Sequence, residues 1–117
     1  MKKTNPVLKE TIQEIEEKGR KENVDIWKDV AERLKKSRRK KNSVNISKIN
    51  RHAEGGDVIL VPGKVTGYGN LDKEVTVAAL SFSNGAKKKV EERGEAIKIS
   101  ELIEEHPEGQ GVKIMEG

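Results

Sequence analysis

The chain has 117 residues, of which 32% are hydrophobic and 38% charged, and it contains three aromatic residues and no cysteine. This length favours one domain with a small aliphatic core, and the lack of cysteine excludes a disulfide framework and a cysteine-based zinc site. The longest apolar stretch, residues 58–61, is far too short to cross a bilayer. We therefore expect a soluble cytoplasmic protein without a membrane partner.

The formal net charge of +4 conceals two halves of opposite sign. Residues 1–53 carry 16 Lys and Arg against 8 Asp and Glu, whereas residues 54–117 carry 8 against 12. The positive half is concentrated in residues 35–41, here called the basic run, which has six cations in seven positions. Because each neutralised phosphate releases condensed counterions, this distribution indicates a nucleic-acid partner rather than a metabolic substrate.

Helix signals dominate the start of the chain. Asn5 and Pro6 form a helix start, and Gly19 is expected to end that helix as a C-cap. Asp25 is the predicted N-cap of a second helix, in which Trp27 lies beside an apolar stripe and is assigned to the core. Two helices joined by a short turn are expected to form a hairpin, and the basic run lies at its end. Residues 44–50 then favour a short strand or an extended connector.

The second half of the chain alternates predicted strands and short helices. Strands are predicted at residues 58–61, 75–80, 96–99 and 112–115, with Pro62 and Gly63 ending the first and a short strand near Val65. One helix is predicted over residues 84–93, between Ser83 as N-cap and Gly94, and another starts with Ser100 as its cap and ends before Pro107. This order favours an α/β domain of parallel strands over residues 54–117, forming one compact unit with a helical and basic region over residues 1–53.

The basic run is the first candidate site. One or two cations would suffice to complement the carboxyl end of a helix, and six indicate phosphate binding instead. Arginine suits bidentate phosphate contacts, and lysine acts as a point charge. The candidate RNA-binding residues of the run are Lys35, Lys36, Arg38, Arg39, Lys40 and Lys41.

Further candidates follow the run. If the apolar residues of this segment anchor it, its polar residues would face sugar, phosphate or base edges, although an ordinary polar strand edge is the alternative. Beside glycine turns, Lys64 is a further candidate phosphate contact, and Tyr68 is the one aromatic residue placed to stack on a base. Residues 87–89 are interpreted as a solvated helix face, with a second phosphate contact as the alternative. The polar candidates after the run are Asn45, Lys48, Asn50 and Arg51.

Motifs for catalysis or cofactor binding fail in detail. Gly63 and Lys64 are followed by Val65, where a P-loop requires Ser or Thr, and the glycines near Tyr68 lack the third glycine of a dinucleotide fingerprint. The two histidines, His52 and His106, lie 54 positions apart and are expected at the surface. We therefore expect no enzyme, no cofactor, no metal and no small-molecule substrate.

An ordered set of segments along nearly the whole chain is similar to one known family. The set comprises residues 5–8, 26–34, 38–39, 44–51, 61–65 and 75–83. It closely resembles the archaeal and eukaryotic large-subunit ribosomal protein family "eighteen-e", which is related to bacterial large-subunit ribosomal protein fifteen. Ser37 and Thr66 depart from the family pattern, in which Pro and Leu are usual. The long basic C-terminal extension of eukaryotic relatives is missing, which favours an archaeal-type member.

The resemblance implies both a fold and a function. The implied fold is an irregular ββα superhelical domain preceded by a helical hairpin and a basic segment. The implied function is that of a structural constituent of the large ribosomal subunit, which binds large-subunit rRNA, stabilises its folding and lies beside neighbouring ribosomal proteins. The implied RNA contacts are Arg38, Arg39, Asn45, Asn50, Arg51 and Lys64. A stand-alone RNA-binding regulator with the same fold is the alternative.

Overall fold

The computed structural model describes residues 6–22, 24–36, 43–107, 109 and 111–115, so the predicted cap Asn5 lies outside the described residues. Five helices and five strands are found in this part of the chain. In chain order they are α1 (Pro6–Glu22), α2 (Asp25–Lys36), β1 (Ser43–Asn45), α3 (Ile46–His52), β2 (Val58–Thr66), β3 (Thr76–Phe82), α4 (Asn84–Arg93), β4 (Glu95–Lys98), α5 (Ile99–Glu105) and β5 (Val112–Ile114).

The strands form one parallel sheet, as the sequence predicts. β2 pairs with β3 along one edge, and β3 pairs in turn with β4. The other edge of β2 is shared by two short strands, with β5 beside Val58–Leu60 and β1 beside Lys64–Thr66. β2 is therefore the central strand, and it joins the N-terminal region to the last strand of the chain.

Both faces of the sheet are covered by helices. Leu60 of β2 and Ala78 of β3 pack in an apolar cluster with α1, α2 and α5. Their neighbours Ile59 and Val77 belong to a second cluster on the opposite face, with α3 and α4. A parallel sheet buried on both faces needs apolar residues on both sides of each strand, which explains the continuous apolar run at the start of β2.

The helical hairpin differs from its prediction at Gly19. α1 continues past this residue to Glu22, because Gly19 lies at a close approach to α2. A Cβ atom at Gly19 would lie 3.1 Å from Lys28 Cγ and 3.4 Å from Trp27 Cβ, so the missing side chain permits packing rather than ending the helix. α2 begins at Asp25 itself, and Trp27 is fully buried as predicted.

Two further predictions are wrong near β1 and β2. Pro62 and Gly63 do not end β2, because the register with β3 shifts between Val61 and Lys64 and the strand continues to Thr66. Such an irregularity accommodates a proline that cannot donate to the sheet. After the short strand β1, the chain forms a helix rather than an extended connector, and Asn45 caps it by accepting a hydrogen bond from the Lys48 N–H at 2.8 Å.

The remaining elements follow the prediction with small shifts. Ser83 caps α4, and Gly94 ends it. α5 begins at Ile99, one residue before the predicted cap Ser100, with Lys98 as its N-cap. Glu101 accepts a hydrogen bond from the Lys98 N–H at 2.8 Å, which secures this earlier start and takes Ile99 out of β4. None of the described helices is long and apolar enough to span a membrane.

Candidate nucleic-acid interface

The predicted basic run leads from the hairpin into the sheet. Lys35 and Lys36 are the last two residues of α2, whereas Arg38, Arg39, Lys40 and Lys41 lie outside the described residues. β1 begins at Ser43, two residues after the run. In sequence, the run thus begins within α2 and ends two residues before β1.

The sheet places Lys64 beside Ser43, the first residue of β1. Lys64 of β2 is in register with Ser43 of β1 on one side and with Ser81 of β3 on the other. All three residues are exposed, so they form a polar row across the strands. Neighbouring strands lie about 4.8 Å apart, which places the backbone of Lys64 next to the residue that follows the basic run almost directly.

The candidates on α3 differ in their roles. The side-chain oxygen of Asn45 caps α3, and that of Asn50 accepts a hydrogen bond from the Asp72 N–H at 3.0 Å. Both oxygens are therefore used by the fold. Lys48 is half-buried, whereas Arg51 in the last turn is exposed. Of these four residues, Arg51 is the one with an exposed, charged side chain.

A loop after β2 packs between the first turns of α3 and α4. We call residues 67–70 the glycine loop. The carbonyl of Tyr68 accepts a hydrogen bond from the Ser47 N–H at 2.9 Å. Gly69 has a φ of +102°, and a Cβ atom there would lie 2.6 Å from Ser47 Cβ; one at Gly67 would lie 3.1 Å from Ala86 N. The glycines therefore permit contact with both helices.

Lys89 fixes the glycine loop from α4. Its Nζ donates hydrogen bonds to the carbonyls of Gly67 at 2.7 Å and Gly69 at 2.6 Å. The prediction of a solvated face for residues 87–89 therefore holds for Lys87 and Lys88, which are exposed, and is wrong for Lys89.

Lys73 holds the end of α3 in the same way. Its Nζ donates hydrogen bonds to the carbonyls of Asn50 at 2.5 Å and Ala53 at 2.7 Å. Sequence reasoning missed both lysine clamps. The one available signal is the general tendency of lysine to bind carbonyls at helix ends, and it points to no particular residue.

Trp27 and Tyr68, two of the three aromatic residues, lie as the sequence suggests. Trp27 is fully buried, and Phe82 is partly buried against the core. Tyr68 is 75% exposed, and in the described part of the chain it is the large apolar side chain that stands in solvent. The glycine loop thus presents an aromatic ring from a backbone that neighbouring elements hold in place.

The ionisable groups with shifted pKa values lie at the amino ends of the strands, away from the glycine loop. The Glu54 N–H at 2.8 Å and the Lys113 ammonium at 3.0 Å both donate to Asp57 and hold its pKa below the ordinary value of 3.8. The same contact raises the pKa of Lys113 above 10.5. This pair joins the start of β2 to β5 and is a structural contact.

Among the described residues, no group of three or more His, Asp or Glu side chains could hold a metal ion. His52 is exposed and His106 is half-buried. Together, the fold and this surface define a basic α/β protein. Its glycine loop is held by hydrogen bonds and presents the exposed ring of Tyr68.

Comparison with known proteins gives the family. The sequence model of the family "Ribosomal protein 60S L18 and 50S L18e" matches residues 3–117. The chain is 52% identical over 113 residues to "Large ribosomal subunit protein eL18" of Methanococcus maripaludis, covering 96% of this chain and 94% of the relative. It is 44% identical over 115 residues to the protein of the same name from Haloarcula marismortui, covering 98% and 99%.

The chain therefore belongs to this ribosomal-protein family, and the predicted resemblance is confirmed. As a family member it is a ribosomal protein and not an enzyme, with archaeal relatives and a place in the cytoplasmic ribosome.

Proposed function

We propose that this protein is a structural constituent of the large ribosomal subunit that binds large-subunit rRNA through its basic run and stabilises the folded rRNA. The observation that carries the proposal is the cluster of six cations within residues 35–41 of the sequence, in a chain of this family. The names of the relatives as large-subunit proteins support the same assignment. Its partners would be rRNA and neighbouring proteins of the subunit.

The mechanism is neutralisation of packed phosphates by the cations of the basic run, which follows a hairpin that is packed on the sheet. The hairpin packs on the sheet through a buried cluster, and the indole N–H of Trp27 donates to the Pro107 carbonyl at 2.7 Å. Lys64 and Arg51 would add cations from the sheet and from α3. Each phosphate contact releases counterions, so several contacts together give strong binding that depends on salt.

The organisation implied by the family resemblance belongs to the same proposal. Residues 1–53 would be the rRNA-binding region and residues 54–117 the α/β block, with strand and helix units wound as an irregular ββα superhelix. The pairing of β1 with β2, and the packing of α3 on the sheet, support one compact unit.

The test is the salt dependence of binding to purified large-subunit rRNA. Arg38→Ala with Arg39→Ala should weaken binding and lower the slope of log K against log salt by roughly 1–2, since each phosphate contributes about 0.7 to 0.9. The matched control is Arg93→Ala with Lys98→Ala, which removes the same charge from exposed positions elsewhere. An unchanged slope in the first variant, or an equal loss in the control, would contradict a specific role of the run.

Co-sedimentation then tests the structural role. The intact protein should remain with the large subunit in stoichiometric amounts after a high-salt wash. Loss at moderate salt would indicate a peripheral RNA-binding regulator instead.

A further inference from the structure

We propose that the glycine loop is a nucleotide-binding site in which an unpaired rRNA base stacks on Tyr68 while nearby lysines contact its phosphates. This inference deepens the proposed function, because it rests on rRNA being the partner. It assigns a second contact region, distinct from the basic run, at the carboxyl ends of the parallel strands, here called the carboxyl edge of the sheet.

The first support is the presentation of the ring. Tyr68 is 75% exposed, yet its own carbonyl and those of its two neighbours accept hydrogen bonds from Ser47 and Lys89. A loop already fixed in this way loses little conformational freedom when a ligand binds. Aromatic side chains of RNA-binding proteins stack on splayed bases, and such stacking tolerates any base because every base has a π-face.

The second support is the charge of the surrounding chain. The glycine loop meets the end of β1, the first turn of α3, the end of β3 and the first half of α4, and residues 43–49, 64–70 and 81–89 together contain five Lys but no Asp or Glu. Lys64, Lys87 and Lys88 are exposed. A nucleotide combines an aromatic base with an anionic phosphate, and this edge offers a partner for each.

The composition of the edge favours RNA over a protein partner. A specific protein interface buries roughly 800 Å² on each side around a core of apolar residues. Here one aromatic ring stands among cations and exposed amides, including Asn70 and Asn84. The amides suit hydrogen bonds to base edges or sugars. The surface therefore matches a single nucleotide better than an apolar protein surface.

The test compares Tyr68→Ala with Tyr68→Phe in binding to purified large-subunit rRNA across a salt series. We expect Tyr68→Ala to bind about 5- to 150-fold more weakly, from the loss of one stacked base. The slope of log K against log salt should not change, because no phosphate contact is removed. Tyr68→Phe keeps the ring and should bind like the wild type. Equal melting temperatures would show that all three chains fold alike.

The outcomes separate this inference from the proposed function. If wild-type protein does not bind rRNA, both are overturned. If wild-type binding is strong and dependent on salt but Tyr68→Ala binds equally well, the stacking site alone is overturned. Unchanged rRNA binding with reduced incorporation into large subunits would overturn it in favour of a protein contact.

A double-mutant comparison tests the role of Lys89 as a positioning residue. Lys89→Met removes both hydrogen bonds to the loop, so it should weaken rRNA binding in the wild-type background. If the lysine acts through the ring, the loss should be smaller in the Tyr68→Ala background. Equal losses in both backgrounds would show that Lys89 acts independently of Tyr68, and they would overturn the fixed-ring argument.

Discussion

Trp27 offers a sharp test of how the hairpin is attached to the sheet. Its side chain has 0% exposure, and its indole N–H donates at 2.7 Å to the carbonyl of Pro107, a residue 80 positions away. Trp27→Ala removes a large buried ring and should lower the free energy of unfolding by about 3–5 kcal/mol. Trp27→Phe keeps a ring but leaves the Pro107 carbonyl without its donor, which should cost about 1–3 kcal/mol.

Urea denaturation of the isolated protein measures both effects. The midpoint should fall for Trp27→Phe and fall further for Trp27→Ala, while the slope with denaturant stays constant. Tyr68→Ala is the control, because truncation of an exposed aromatic residue should change stability by no more than about 0.5 kcal/mol. Wild-type stability of Trp27→Ala together with weakened rRNA binding would refute the reasoning, since Trp27 would then be a stacking residue.

Two further perturbations test the sheet. Gly94→Ala should sharply lower the melting temperature, because its Cβ would collide with the Val75 carbonyl oxygen. Gly85→Ala, within the helix that Gly94 ends, meets nothing within 4 Å and should be neutral or stabilising by up to about 1 kcal/mol. Equal effects of the two substitutions would contradict the collision. Lys113→Met should destabilise at neutral pH. Because the pKa of Asp57 is lowered, its contribution to stability is present above pH 3.8 and is lost as the pH falls through the lowered pKa. Because the pKa of Lys113 is raised, its contribution is present below pH 10.5 and is lost as the pH rises through the raised pKa. Thermal melts of wild type and variant should therefore converge at both extremes, and a constant difference across pH would exclude the ion pair as the cause.

The strands of the second half were predictable because burial on both faces leaves a clear apolar signal. Their ends were harder to place, since local rules were overridden by packing. Gly19 has the features of a helix terminator, yet it serves a close helix–helix contact. Pro62 has the features of a strand terminator, yet a shift in register absorbs it. Asn45 suited an extended polar segment, but its side chain caps a helix that periodicity did not show.

The candidate site was predictable only where its residues are adjacent in sequence. The basic run is visible in the chain itself, and the family pattern adds Lys64 and Arg51. The clamps are different, because Lys89 and Lys73 reach carbonyls that lie 20–23 positions away in sequence. Such pairs become neighbours only through the crossover from β2 to β3 and the packing of α3 and α4, which composition and periodicity do not reveal.

The topology also determines where the negative charges of residues 54–117 lie. Three of the twelve side-chain carboxylates in this half of the chain, those of Asp57, Glu74 and Glu95, line one shallow depression together with Arg93 at the amino ends of the strands. The carboxyl edge, with the glycine loop, carries cations instead. β2 separates the two edges with nine residues, or about 30 Å at 3.3 Å per residue. This is several times the Debye length of about 8 Å at physiological ionic strength. These three carboxylates therefore oppose a polyanion at the carboxyl ends of the strands only weakly.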